Sequence, residues 1–398
     1  MSRCRRTLVA IALTLALPGG AAAIEDFQAC VGDIRGAALE RGISRATAEA
    51  LLSDLEPSQR VIELDRRQPE FTTTLHDYLN ARVDRSRIER GRAKLREHAD
   101  LLARIEAEYG VPARYLVAFW GLESNFGQYT GSMSTVRSLA TLACDRRRGD
   151  FFRNELLETL HLVDERTLSV HQLEGSWAGA LGNFQFLPSV YRGHAVDGDG
   201  DGEIDLWDSL PDAAESAANF LRARGWQPQE RWGREVLLPD GFDYTQAEAE
   251  RPVSEWRAAG LRQANGGPLP AAELEARLMI PAGAEGPAFL VYANFDVIMR
   301  WNPSRFYALS VGHLADRLAG GGPLRNPPPD HPGLRFDTIE ALQTALNARG
   351  LEAGPVDGRL GPKTRAAIRA FQADRGMTRD GYPDRAVLSE LGIDQSEG

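Results

Sequence analysis

Apolar positions recur at helical spacing around residues 34–55, 87–107, 112–124, 150–166 and 211–224, which predicts a largely helical body. The stretch VPARYLVAFWGLESNFG, residues 111–127, is almost entirely apolar as far as Leu122 and then carries Glu123. Pro112 suits the first turn of that helix, which puts Glu123 in its last. Between 234 and 300 the texture changes. REVLLP, ARLMIPA and PAFLVY are short β-type runs separated by Gly and Pro, and they predict a small sheet inserted in the helical body. GGGPLRNPPPDHPG, residues 320–333, reads as a linker whose Pro run makes an extended spacer and whose glycines make a tether. Beyond it, Phe336, Ile339, Leu342 and Leu346 form an apolar stripe with Asp337 placed to cap it and Gly350 to stop it. A Gly-rich loop, GPVDGRLGPKT, then leads into a helix carrying Ala366, Ile368 and Phe371, and DGYPDRAVLSEL opens a third.

With 398 residues the chain can hold two or three domains with their own cores. Residues 1–23 place Arg3, Arg5 and Arg6 before an apolar run too short to span a bilayer, ending in Ala21–Ala23. That is the pattern of a cleaved export signal, and no later segment reads as a transmembrane span. Cys4 precedes the apolar run, so the mature protein is not expected to be a lipoprotein. Losing three arginines and no acid takes the formal charge from −10 to −13, which argues against a nucleic-acid partner. Cys30 and Cys144 remain, either as a disulfide in an oxidising compartment or as two buried thiols.

Burial among Leu122 and Phe126 and the negative end of the helix dipole both disfavour the ionised form of Glu123, the setting of a general acid. The bland alternative is a surface glutamate at a frayed helix end. GSWAGALGNFQFLPSVY, residues 175–191, combines glycines that let backbone approach a ligand with Ser176, Asn183, Gln185 and several flat aromatic faces. In VDGDGDGEIDLWD, Asp197, Asp199, Asp201, Asp205 and Asp208 occupy positions 1, 3, 5, 9 and 12 of a calcium-loop pattern. Glu203 falls at position 7 and Gly202 at the sharp turn, while Asp208 replaces the longer Glu usual at position 12. A structural Ca²⁺ is expected there, with a metal-free Asp/Gly turn as the alternative.

Two resemblances add to this reading. LQTALNARG, GPVDGRLGPKTRAAIRAFQADRGM and the following DG resemble the type 1 peptidoglycan-binding domain over the C-terminal module. GLESNFG, ATLACDRRRGDFF, GSWAGALGNFQFLPS, VDGDGDGEIDLWD and RWNPSRFYA, in that order, resemble the B-type membrane-bound lytic murein transglycosylases, glycoside hydrolase family 103. The implied architecture is mainly α: a lysozyme-like α+β catalytic domain over 24–319 with a small inserted β subdomain, a linker over 320–333, and a three-helix peptidoglycan-binding domain over 334–394. Glu123 matches the single catalytic acid/base, and Ser176, Gln185 and Phe186 match residues that hold the glycan. Asn302 and Tyr307 match a late segment that returns to the site. Trp301 stands where relatives often carry Tyr, keeping a stacking face and losing the hydroxyl. Arg147 and Arg148 match a pair on the peptide-stem side, against the plain reading of a solvated basic turn.

The matched motifs supply one carboxylate, whereas a hydrolysing glycosidase usually needs two. A lytic transglycosylase works with one because the attacking hydroxyl belongs to the substrate. The resemblance thus implies cleavage of the MurNAc–GlcNAc bond to 1,6-anhydroMurNAc ends without a catalytic cofactor, in the periplasm. Its expected partners are glycan strands and peptide stems, with other cell-wall enzymes left open. Two alternatives stand beside it: a lysozyme-type hydrolase using Asp145 or another cleft acid as second carboxylate, and a catalytically silent wall-binding scaffold. The seven scattered histidines form no HExxH pair, which disfavours a zinc peptidase.

Overall fold

The computed structural model describes residues 27–66, 73–145 and 147–393. The expected export signal over 1–23 lies outside the described residues, and among those residues no helix is long and apolar enough to cross a membrane. The order begins with α1 (Phe27–Glu40), α2 (Arg45–Leu52), α3 (Gln59–Arg66), α4 (Leu75–Arg82), α5 (Arg85–Glu97), α6 (Ala99–Tyr109) and α7 (Ala113–Ser124). Then come β1 (Met133–Ser134), α8 (Thr135–Ala143), α9 (Gly149–Asp164), β2 (Glu174–Gly175), α10 (Pro188–His194) and α11 (Leu210–Ala223).

Two stretches expected as single helices are pairs. Residues 34–55 break at Gly42, which takes φ +84°, and Ser44 restarts the chain as N-cap of α2 by accepting from the Thr47 amide. Residues 87–107 break at His98, with φ −112° and ψ 27°, between α5 and α6. Cys30 of α1 is joined by a disulfide to Cys144 at the end of α8, pinning the first helix to the body.

The inserted sheet consists of β3 (Gly233–Leu237), β4 (Glu250–Pro252), β5 (Arg262–Gln263), β6 (Glu275–Met279) and β7 (Ala288–Val291), with α12 (Val253–Ala258) between β4 and β5. It is antiparallel, in the order β4-β6-β7-β3-β5. Side chains alternate across a strand, and both faces of β7 are buried. Phe289 and Val291 join the helical core, while Ala288 and Leu290 join a second core with Val236, Trp256 and Leu278. The sheet is a wall between two cores, so its central strand reads as an unbroken apolar run.

After α13 (Ala293–Trp301) and α14 (Arg305–Leu318), the module contains α15 (Phe336–Ala348), α16 (Pro362–Asp374) and α17 (Arg385–Glu390) around a core including Leu342, Leu346, Ile368, Phe371 and Leu388. Asp337 does not cap α15: Arg335 is the N-cap, and Asp337 is the second helical residue, in the first turn, accepting from the Thr338 amide. Ala367, not Ala366, faces the core, because Ile368 and Phe371 set the buried stripe.

The linker is not a free tether. The Arg325 and Asn326 amides donate to the Glu235 carboxylate at 2.8 and 2.7 Å, and the Asn326 side chain donates to Gly286 O at 2.6 Å. His76 Nδ1 meets Pro328 O at 3.1 Å. The module docks as well, since the Ala284 amide donates to Asp380 Oδ2 at 2.8 Å.

Candidate active site

Helix α7 buries nearly every side chain from Tyr115 to Leu122 and ends in three consecutive left-handed residues, Asn125, Phe126 and Gly127, at φ 55°, 63° and 80°. Glu123, half-buried, precedes this turn. Arg90 Nη2 donates to Asn125 Oδ1 at 2.6 Å, and the Gly127 amide donates to Ser124 Oγ at 2.9 Å, so the strained turn is fastened on both sides.

Two distant side chains converge on one oxygen of Glu123. Trp301 Nε1 donates to Oε1 at 3.0 Å, and the Tyr307 hydroxyl donates to the same atom in a very short contact. Burial, and then the neighbouring Glu123 carboxylate, push the Tyr307 phenol well above its ordinary value, so it stays protonated and a donor. Sequence had shown only effects that disfavour the charge on Glu123; these two hydrogen bonds favour it.

Trp301 does not present an open stacking face. Its ring packs against Phe119, Phe220 and Phe186, with centroids 4.5, 5.2 and 5.4 Å away. Its indole N–H donates to the carboxylate, as a tyrosine hydroxyl at that position could. Phe186 is 2% exposed and supports Trp301 from behind, so it offers no surface to a glycan.

Ser176 Oγ accepts from the Ala178 and Ala180 amides at 3.3 and 3.0 Å, which folds the GSWAGA turn. The glycines here serve backbone against backbone: a Cβ on Gly175 would lie 2.2 Å from Ala180 O, and one on Gly131 would lie 2.0 Å from the Gly175 carbonyl carbon. Gln185, at φ 51°, donates from Nε2 to Thr130 O and Gly182 O, both at 2.9 Å, and so holds the loop that follows the Glu123 turn. Asn302 caps α13 through its amide, which donates to Ile298 O at 3.2 Å.

The arginine pair divides. Arg147 donates through Nε to Asp65 Oδ2 at 3.0 Å and through Nη2 to Asp65 O, so its guanidinium is committed to a buried carboxylate. Exposed Arg148 lies over the Phe151 and Phe152 rings at 5.0 and 4.8 Å. Asp145 accepts from the Arg147 amide at 3.1 Å and faces Arg66 at 3.7 Å.

In the acidic loop, carboxylate oxygens of Asp197, Asp199 and Asp212 lie within 4.8 Å of one another. Asp212, on α11 and outside the twelve-residue pattern, replaces the later positions of that pattern in this cluster. Asp201 and Asp205 lie outside that cluster; like its members they accept from backbone amides, Asp201 Oδ1 from Glu203 at 2.8 Å and Asp205 Oδ1 from Trp207 and Asp208 at 2.8 and 3.1 Å. The Gly202 amide, helped by Gly200 and Asp201, holds the Asp197 carboxyl below its usual range. Three hard carboxylate donors suit Ca²⁺. No local pattern marked Asp212, because its place is set by helix α11 folding back on the loop.

Asn183, named with Ser176 and Gln185 in the 175–191 segment, is buried and serves the fold. Trp120 Nε1 donates to its Oδ1 at 2.8 Å, while its Nδ2 donates to Leu206 O and Trp207 O at 3.1 and 2.6 Å. It therefore clamps the Glu123 helix to the end of the acidic loop.

A carboxylate held by two donors at the end of a buried helix, in a helical body with a small sheet, defines a lysozyme-like glycan-cleaving class. Residues 26–316 match the transglycosylase SLT domain, and residues 337–391 match a peptidoglycan binding domain. The chain belongs to the transglycosylase SLT family. It is 33% identical over 238 residues to membrane-bound lytic murein transglycosylase B of Escherichia coli, a match spanning 58% of this chain and 64% of that relative, less than two thirds of its length. SltB3 from Pseudomonas aeruginosa, solved with NAG-anhNAM-pentapeptide, is 42% identical, with a TM-score of 0.88 over 93% of this chain and 100% of that one. Escherichia coli Slt35, solved with calcium, is 28% identical, with a TM-score of 0.62 over 74% of this chain and 93% of that one.

Proposed function

We propose that the protein is an exported, periplasmic lytic transglycosylase that cleaves the MurNAc–GlcNAc bond of peptidoglycan and leaves 1,6-anhydroMurNAc ends. The observation that carries this is the convergence of Trp301 Nε1 and the Tyr307 hydroxyl on Glu123 Oε1. With Oε1 occupied by two donors, the proton of the acid form rides on Oε2. Glu123 delivers it to the leaving glycosidic oxygen while the MurNAc acetamido group assists at the anomeric carbon. The resulting carboxylate, stabilised by the same two donors, then takes the proton of the MurNAc 6-hydroxyl as that oxygen closes the ring. No water is consumed and no cofactor takes part. The anhydro sugar in the SltB3 complex is the product this route forms.

Ser176, Gln185, Asn302 and Arg148 shape the groove for glycan and stem, whereas Phe186 and Arg147 act through Trp301 and Asp65. Asp197, Asp199 and Asp212 hold a structural Ca²⁺, in line with the calcium complex of Slt35. The catalytic domain spans 24–319 and the wall-binding module 334–394, with 320–333 between them. Mass spectrometry of sugar ends from a purified-wall digest tests the reaction. Anhydro ends are expected; reducing ends would make the enzyme a hydrolase.

A further inference from the structure

The docked module and strapped linker enclose a cleft that is separate from the Glu123 residues. It has a volume of about 820 Å³ and is lined by the 236–244 segment, the linker residues Arg325 and Asn326, and 377–379 of the module. That is within the size range of ligand sites, roughly 300–1,000 Å³, which favour domain interfaces. Its walls are mixed. Phe242 and Tyr244 meet edge to face at 5.5 Å and give an aromatic wall beside Met377. Arg325 and Arg379 supply two cations, and Asp240 and Asp243 two anions. Asp243 is held ionised by Thr245, and Tyr244 faces the Asp380 carboxylate that anchors the module.

On the module itself, the Asp357 and Gly358 amides of the Gly-rich loop are used within the module. The Asp357 and Gly358 amides donate to Gln343 Oε1 at 2.9 and 3.0 Å, and buried Gln343 returns a bond from Nε2 to Asp357 Oδ1. The second Asp-Gly loop repeats this with Gln372, whose Nε2 donates to Asp380 Oδ1 at 2.7 Å and whose Oε1 accepts from the Gly381 amide. The two loops differ in use. Asp357 closes its own loop, whereas Asp380 has its second oxygen on the catalytic domain. The duplicated motif thus positions one wall of the cleft.

Resting on the peptidoglycan reading, we infer that this interdomain cleft is a second binding site, and that its ligand is the peptide stem of peptidoglycan. A stem carries several carboxylates, a free amine and alanine methyls on one short chain. Arg325 and Arg379 match the carboxylates, Asp240 and Asp243 the amine, and Phe242, Tyr244 and Met377 the methyls. A neutral glycan would make no use of these charges, two of which, Arg379 and Asp243, already act on each other across the cleft. The strapped linker keeps the site assembled without bound substrate, so binding carries little ordering cost.

The test uses the full chain as Glu123→Gln, which prevents turnover, titrated calorimetrically with a free pentapeptide stem, the disaccharide pentapeptide and a stem-free NAG oligomer. The free stem should bind at one site. Arg379→Glu, at unchanged melting temperature, and, separately, Tyr244→Ala should weaken it by at least ~10-fold, the loss of one charge-assisted or one apolar contact. The disaccharide pentapeptide should fall from two sites to one in the same variants. Failure of the free stem to bind, indifference to both substitutions, or displacement of the stem by the NAG oligomer would each overturn the assignment. Anhydro ends released by the chain with Glu123 intact report separately on the proposed reaction, so the two readings can fail independently.

Discussion

The Glu123 end of α7 and the acidic loop over 197–208 are both carboxylate sites, built on opposite scales. The bonds that orient Glu123 come from 178 and 184 residues away, through Trp301 and Tyr307. Those that shape the loop close over two to five residues, as from Gly200 and Gly202 to Asp197. A site assembled across the chain depends on the whole helical core, whereas a turn assembled locally needs only its own backbone and one helix. Asn183 is the point where the two meet.

The sharpest break of that comparison is Glu123→Gln. The amide keeps the shape but carries no acidic proton, so release of soluble fragments from sacculi should fall by at least ~10², with melting and wall binding retained. Near-normal lysis would remove Glu123 from its role.

Tyr307→Phe tests the long-range half alone. Removing one donor to a charged group, worth about 1.5–3 kcal/mol, should lower kcat by roughly tenfold or more with a smaller change in KM. The ionised form of Glu123 is less stabilised in this variant, so the alkaline limb of the pH–rate profile should move up. A residue that only packs would leave the profile where it was.

For the loop, calcium should raise the melting temperature of chelator-treated protein, by about 2.7 kcal/mol of stability at a hundredfold excess over Kd. Asp212→Asn and Asp197→Ala should abolish the response, while Asp201→Ala, outside the three-acid cluster, should keep most of it. Loss confined to Asp201→Ala would restore the twelve-residue pattern over the observed cluster.

The smallest effect separates the two regions by pH. Burial lowers His313, on the helix that carries Tyr307, to about 4. The unfolded chain binds that proton first, so stability falls as pH drops from ~6.5 toward 4. Asp197 is depressed instead, so its contribution is present above the usual aspartate range of ~3.9 and is lost only as pH falls below it. Denaturant midpoints across pH 7 to 4 should flatten in His313→Gln and keep their slope in Asp197→Ala.

Much of the design was legible without coordinates. Glu123 stood out because it ends a run, 111–122, that is apolar apart from Arg114, and the strand runs stood out because both faces of β7 are buried. The acidic loop showed because its aspartates follow a fixed short spacing. Helix breaks at Gly42 and His98 were hidden, since the apolar period runs on through both turns.

Sequence by itself therefore determined what depends on neighbours along the chain: helix periods, the Gly turns, the loop register and the order of motifs. Tertiary structure alone decided that Trp301 turns its N–H to Glu123, that Arg147 is spent on Asp65, that Asp212 joins the acid cluster, and that the linker is strapped down. Each of these is a hydrogen bond or ion contact set by how separate elements pack, and such directions are fixed only once the core has closed.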